Sequence, residues 1–199
     1  MRKIYLVRHG ETNANVEKRY CGQTDVDLNH KGLRDAASIA KVLKNTSLDS
    51  IVSSDLKRTL KTAELINEYH RLELELNPDF REINFGKFEN LTFEEIGVKY
   101  PDEKAKMIKE KINYNFLEGE SLSVLYKRVI KSFNKLLEEK ENENILIVSH
   151  GGVIRMILTE ILSGDLNNYW SVEVDNTRIS TIVDHEGFLY LKNLNRKVL

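Results

Sequence analysis

Apolar residues follow two rhythms along this chain. Residues 4–7 (Ile-Tyr-Leu-Val) and 145–148 (Ile-Leu-Ile-Val) are short unbroken runs, the mark of strands buried on both faces. Each run passes straight into a histidine and glycine: Arg8-His9-Gly10 and Ser149-His150-Gly151-Gly152. A third strand is expected over 49–53, around Ile51 and Val52. A fourth is expected over 72–76, where leucine and glutamate alternate and one face meets solvent; Pro78 ends it. Residues 178–183 and 188–191 flank Asp184-His185-Glu186-Gly187 as a hairpin.

The second rhythm is helical. Leu33, Ala36, Ala37, Ile39, Ala40 and Leu43 form one stripe, with Asn29 as its N-cap. Leu56, Leu60, Ala63 and Ile66 form another, in a helix expected to start at Ser54 or Asp55. Ser121 opens a long helix with Leu122, Leu125, Val129, Phe133 and Leu136 buried, and 151–162 is helical after the second histidine. Thr92-Phe93-Glu94-Glu95 has capping-box spacing and opens a short helix that stops before Pro101. Lysine-rich residues 102–113 read as a solvated helix, and 138–144 as a charged turn. Alternating strands and helices predict an α/β fold with a mostly parallel sheet. Residues 1–199 form one domain on this reading. Roughly 80–120 break the alternation and are expected to be an insertion that covers a site. Residues 8–29 carry little periodicity, and a long irregular segment in a compact domain is usually functional.

Composition narrows the function classes. Lys+Arg (30) nearly balance Asp+Glu (31), for a net charge of -1. Nucleic acid and membrane surfaces are therefore not expected as partners through bulk charge. Arg2 and Lys3 precede only four apolar residues before Arg8, so no secretory signal is expected. No run approaches a membrane span, and the single cysteine, Cys21, permits no internal disulfide. A cytoplasmic protein is expected.

Candidate chemistry collects at strand ends, where open α/β sheets bind their ligands. His9 sits between Arg8 and Gly10, and a glycine there allows close backbone approach to a ligand. Arg58, on the first turn of the helix after residue 53, can join Arg8 around an anion, because guanidinium forks match tetrahedral oxygens. Glu82, in Arg81-Glu82, is a carboxylic acid beside an anion site and therefore a candidate proton donor. His150 and Gly151 offer a second histidine and a helix N-terminus.

Taken together, Arg8-His9-Gly10-Glu11-Thr12, Ser54-Asp55-Leu56-Lys57-Arg58-Thr59, Arg81-Glu82 and Ser149-His150-Gly151 resemble the histidine phosphatase superfamily, to which cofactor-dependent phosphoglycerate mutases belong. The blocks occur in order across nearly the whole chain. The resemblance implies a three-layer α/β/α fold with a mostly parallel, doubly wound central sheet and one antiparallel edge strand. It implies a phosphohistidine on His9, phosphate held by Arg8, Arg58 and a cationic His150, and Glu82 as acid and then base. It also places Asn15, Gln23 and Thr24 near the phosphate. The implied partner is a small-molecule phosphomonoester, with no metal and no cofactor.

The chain lacks the longer insertion and tail of the mutases, which points to a phosphatase. Residues 20–28 and 85–92 are similar to α-ribazole-5′-phosphate phosphatases of cobalamin synthesis, and Leu117-Glu118-Gly119-Glu120-Ser121 resembles that family's Pro-Gly-Gly-Glu-Ser block. Phe88, Asn90, Leu117 and Glu118 depart from the pattern. Broad-specificity phosphatase, mutase and non-catalytic binding module are the alternatives. His9-Gly10-Glu11 lacks the paired cysteines of a zinc deaminase, Asp27 stands where a Cys-x5-Arg phosphatase needs arginine, and no P-loop is present. Cys21 is expected at the substrate entrance, Trp170 in packing, and His30, His70 and His185 at the surface.

Overall fold

The structure, a computed structural model, describes residues 1–197. In chain order the main elements are β1 (Arg2–Arg8), α1 (Asn13–Val16), α2 (His30–Leu43), β2 (Ser50–Ser53), α3 (Lys57–Asn67), β3 (Leu74–Leu76), α4 (Phe93–Lys99), α5 (Pro101–Glu110), α6 (Leu122–Glu139), β4 (Ile145–Ser149), α7 (Gly151–Leu162), β5 (Ile179–His185) and β6 (Phe188–Arg196). Short 3₁₀ turns occupy Pro78–Phe80, Gly86–Phe88, Lys111–Asn113 and Leu166–Ser171. The six strands form one sheet in the order β3-β2-β4-β1-β5-β6. β3, β2, β4 and β1 pair in parallel, and β5 runs antiparallel to both β1 and β6. The antiparallel pairing expected at one edge is thus the β5–β6 hairpin, with β5 the reversed strand.

Alternation along the strands divides the core in two. Ile4, Leu6, Ile145, Ile147 and Val52 point to the α6 and α7 side. Val7, Leu146, Val148 and Ile51 point to the α2 and α3 side. Helices on both faces make the three-layer arrangement. β1 and β4 are neighbours, with Arg8 level with Ser149. The helices that follow them lie on opposite faces. This is the switch point of a doubly wound sheet, and the crevice opens there. His9 and His150 are the first residues beyond the two strands.

Several element ends differ from expectation, each through a tertiary partner. α3 starts at Lys57, after Ser54 and Asp55. Both potential caps are committed elsewhere, Ser54 to His150 and Asp55 to Arg81. The cap comes from another loop: the Lys57 amide donates to Asp25 Oδ1 at 2.8 Å. β3 loses Leu72, whose amide and carbonyl are both bound by the Asn67 side chain. The helix expected over 102–113 ends at Glu110, where Lys111 takes φ 52° and ψ −113°. It is also not a purely solvated helix, since Met107 and Ile108 line a cavity. The caps at Asn29, Thr92 and Ser121 are as expected. Among the described residues, no helix is long and apolar enough to cross a membrane.

Candidate active site

His9 is 4% exposed and continues the β1–β4 ladder, its amide donating to the Ser149 carbonyl. Its Nδ1 lies 2.7 Å from the Gly10 carbonyl oxygen. A carbonyl only accepts, so Nδ1 carries the proton and Nε2 holds the lone pair. Gly10 is fixed in turn by its amide donating to Thr62 Oγ1. Space also demands glycine there: a Cβ would come within 2.6 Å of the Gly32 carbonyl oxygen. Burial, with the charges of Arg58 and Arg8, holds the His9 imidazole well below its ordinary range.

His150 meets His9 edge to face, ring centroids 5.2 Å apart. Its Nε2 bonds to Ser54 Oγ at 2.9 Å, and its Nδ1 is buried without a partner among the described residues. The expectation of a cationic His150 is corrected. The ring is fully buried, and burial, with Arg58, His9 and Arg8 nearby, holds it well below the usual histidine range.

Two arginines flank the histidines. Arg8 Nη1 donates to the Val174 carbonyl, and its Nε is buried without a partner among the described residues. Arg58 is 1% exposed, and its guanidinium donates to the carbonyls of Thr24 and Gly22 at 2.9 and 2.6 Å. Glu82 accepts from the Ile83 amide through Oε1 and from the Gly152 amide through Oε2, each at 2.9 Å. Its backbone is held from behind by Arg128, which donates to the carbonyls of Asp79, Arg81 and Glu82 while pairing bidentately with Glu120. Arg81 pairs with Asp55, leaving Glu82 free of it.

The structure therefore brings Arg8, His9, Arg58, Glu82, His150 and Gly151 to one place. The loop residues behave differently. Asn15 Oδ1 accepts from the Thr12 amide and hydroxyl and from Asn176, while its Nδ2 stays out of these bonds. Thr24 is corrected as a hydroxyl donor to the ligand: its Oγ1 donates to Glu89 at 2.6 Å, and a hydroxyl has one proton to give. The backbone N–H of Gln23 also donates to Glu89. The glycine that the geometry requires in α7 is Gly152, where a Cβ would sit 2.1 Å from Glu82 Oε1. At Gly151 a Cβ would meet only Arg8, at ordinary contact distance.

A cavity of about 640 Å³ leads to this cluster. Arg8, Glu82, Gly151 and Gly152 line it together with a mainly apolar wall that includes Tyr20, Phe85, Met107, Ile108, Phe116 and Trp170. Trp170 is corrected from packing to cavity rim, being 65% exposed and beside Arg155, whose guanidinium stacks on it at 5.2 Å. The cavity wall contains Tyr20 in place of Cys21, whose thiol turns toward the Thr24 carbonyl. The sequence alone assigns no site role to Ser54, Glu89, Asn176 or Arg155. Only contacts from distant segments give each of them its task.

The profile of the histidine phosphatase superfamily (branch 1) matches residues 4–197. The chain belongs to the histidine phosphatase superfamily. It is accordingly a phosphoric monoester hydrolase, and its fold is phosphoglycerate mutase-like. It is 39% identical to the uncharacterized phosphatase PhoE of Bacillus subtilis, over 98% of this chain and 95% of that one. It is 35% identical to phosphoserine phosphatase 1 of Hydrogenobacter thermophilus, over 98% and 92%. The solved structure of a putative α-ribazole-5′-P phosphatase from Escherichia coli superposes with a TM-score of 0.93 at 26% identity, covering 98% and 96%. The phosphatase names of these relatives agree on the reaction class and diverge on the alcohol.

Proposed function

We propose that this phosphatase acts through a phosphohistidine on His9 and takes monoesters of bulky, apolar or aromatic alcohols, with α-ribazole 5′-phosphate as the specific candidate. The observation that carries the reading is the cavity: about 640 Å³ of mainly apolar wall opening on Arg8 and Glu82. A small zwitterionic alcohol such as serine would leave most of that wall uncovered. A fused aromatic base covers it and stacks on Trp170.

In the first step Nε2 of His9 attacks phosphorus in line, and the P–O bond to the alcohol breaks as the N–P bond forms. Arg8 and Arg58 hold the transferring oxygens, whose charge they stabilise. Glu82 gives its proton to the leaving oxygen. Water then attacks phosphorus, Glu82 takes the proton back, and the N–P bond breaks to release phosphate. His150, with Ser54 donating to Nε2, presents Nδ1–H to the phosphoryl group. Asn15 Nδ2 is a further donor toward it. A broad-specificity phosphatase is the second reading, favoured by the mainly apolar wall, which discriminates among alcohols by shape more than by hydrogen bonding.

The test is a kinetic panel of α-ribazole 5′-phosphate, aryl phosphates, phosphoserine and 3-phosphoglycerate, run with His9→Ala as control. The expected ranking puts α-ribazole 5′-phosphate first. A specificity constant no better than that of simple aryl phosphates removes the cobalamin reading in favour of the broad one. A fully active His9→Ala removes the mechanism. Stimulation by 2,3-bisphosphoglycerate would identify a mutase.

A further inference from the structure

The carboxylate of Glu89 lies outside the catalytic cluster, yet it is among the most densely bonded side chains in the protein. Its Oε1 accepts from the amides of Gln23 and Phe85, at 3.0 and 3.1 Å. Its Oε2 accepts from the amides of Gly22 and Thr24 and from Thr24 Oγ1, at 3.1, 3.2 and 2.6 Å. Three consecutive backbone donors of the loop converge on one acceptor. A carboxylate suits that position, because it offers several lone pairs and no competing proton.

The other side of the same loop holds Arg58. The peptide unit joining Gly22 to Gln23 is shared between the two. Its N–H points to Glu89, and its carbonyl accepts from Arg58 Nη2 at 2.6 Å. A trans peptide sends these groups in opposite directions. The peptide dipole is therefore aligned between an anion and a cation, and each bond strengthens the other. The Thr24 carbonyl, one residue beyond, holds Nη1 of the same guanidinium. Glu89 also accepts from the amide of Phe85, the residue just before the Gly86–Phe88 turn and an aromatic member of the cavity wall.

We infer that Glu89 is a positioning residue for Arg58: it fixes the 22–24 loop, whose carbonyls aim the guanidinium at the phosphate. The inference rests on the proposal that Arg58 grips the transferring phosphoryl group. Glu89 touches no reacting atom. It sets the direction of one that does, and it links the phosphate grip to the cavity wall that faces the alcohol.

A double-mutant cycle tests it, using Glu89→Gln, Arg58→Ala and their combination in the full chain. The readouts are kcat/KM, the inhibition constant of inorganic phosphate, the pH profile and the melting temperature. Glu89→Gln turns an amide NH₂ toward backbone donors, and the expected loss in kcat/KM is about 10- to 100-fold, with weaker phosphate inhibition. In the Arg58→Ala background the same substitution costs less than about 3-fold, because the group it positions is gone. The acid limb of kcat/KM moves to higher pH in Glu89→Gln, since a displaced Arg58 no longer disfavours protonation of His9. A brace that served only folding would lower the melting temperature and act equally in both backgrounds.

Equal losses in the two backgrounds, or an unchanged kcat/KM, overturn the assignment. Should Glu89→Gln fail to fold, Thr24→Val removes one donor and keeps the carboxylate. A few-fold loss that disappears with Arg58→Ala supports the assignment, and an additive one overturns it. Arg58→Ala with wild-type activity has a separate meaning: it defeats the phosphate grip itself, and the positioning role falls with it.

Discussion

Replacing Gly152 by alanine separates catalysis from stability. The new Cβ would stand 2.1 Å from Glu82 Oε1 and 3.1 Å from the Tyr169 hydroxyl. Cβ atoms essentially never approach within 3.0 Å of another heavy atom, so the carboxylate must retreat by about 1 Å. Retreat stretches or breaks its 2.9 Å bond from the Gly152 amide. The Arg128 clamp on the carbonyls of Asp79, Arg81 and Glu82 holds the backbone in place, so the carboxylate moves, straining its Oε1 bond from the Ile83 amide as well, while the backbone stays. A misplacement of about 1 Å in a catalytic group costs roughly 100-fold in rate. Helix formation responds in the other direction. Glycine to alanine inside a helix gains up to about 1 kcal/mol, which offsets the crowding at Tyr169. The expected result is a kcat/KM for alkyl phosphates down by about 100-fold, with a melting temperature within a few degrees of wild type. Aryl phosphates, whose leaving oxygen needs no proton, fall much less. Steady-state kinetics on both substrate types with a thermal melt decide it. Wild-type kcat/KM on an alkyl phosphate would refute the reasoning, because it would mean that Glu82 need not occupy the place it has beside α7.

Glu82→Gln keeps the shape and removes the proton, and it is expected to lower kcat/KM, which reports phosphorylation of His9, by about 100- to 10,000-fold for alkyl phosphates while sparing activated aryl esters; an equal fall in kcat/KM for both rules out the acid role. His9 and His150 are buried and held below the ordinary histidine range, so the unfolded chain binds more protons than the folded one just under pH 6.5. Stability is therefore fully present above pH 6.5 and falls as pH drops through the window below it, which melts recorded from pH 7.5 to 5 will detect; a flat profile would place the two rings in water. Trp170→Ala is expected to lower kcat/KM for aromatic phosphates by about 3- to 10-fold and leave phosphoserine unchanged, and a uniform loss would assign Trp170 to folding.

What the bare chain discloses depends on whether a residue's surroundings come from its sequence neighbours. β1 and β4 are legible because strands buried on both faces must be apolar throughout, and the histidines follow directly. Asn29, Thr92 and Ser121 cap helices that begin immediately after them. The start of α3 is not legible in this way. Ser54 and Asp55 look like caps, and only the fold shows that His150 and Arg81 have claimed them. Trp170 reads as core by composition, yet it follows Tyr169 in a 3₁₀ turn that buries the tyrosine and leaves the tryptophan outside. The charge state of His150 required knowing its complete burial. Glu89 sits in a motif block but gains its task from amides more than sixty positions earlier.

The cap that Asp25 supplies to α3 has a consequence for redesign. A side chain that satisfies a free amide at a helix start contributes about 1 kcal/mol, and here it arrives from a segment some thirty positions away, since Leu56 at the N-cap position offers none. Arg58 is the second residue of that helix. Exchanging residues 20–28 for those of another phosphatase, in order to transplant its substrate preference, would also change where α3 starts and how it is registered. The loop and the helix therefore form one interchangeable cassette. A graft that carries Asp25 with the loop preserves the register of Arg58, whereas one that omits it alters two properties at once and makes a specificity change unreadable.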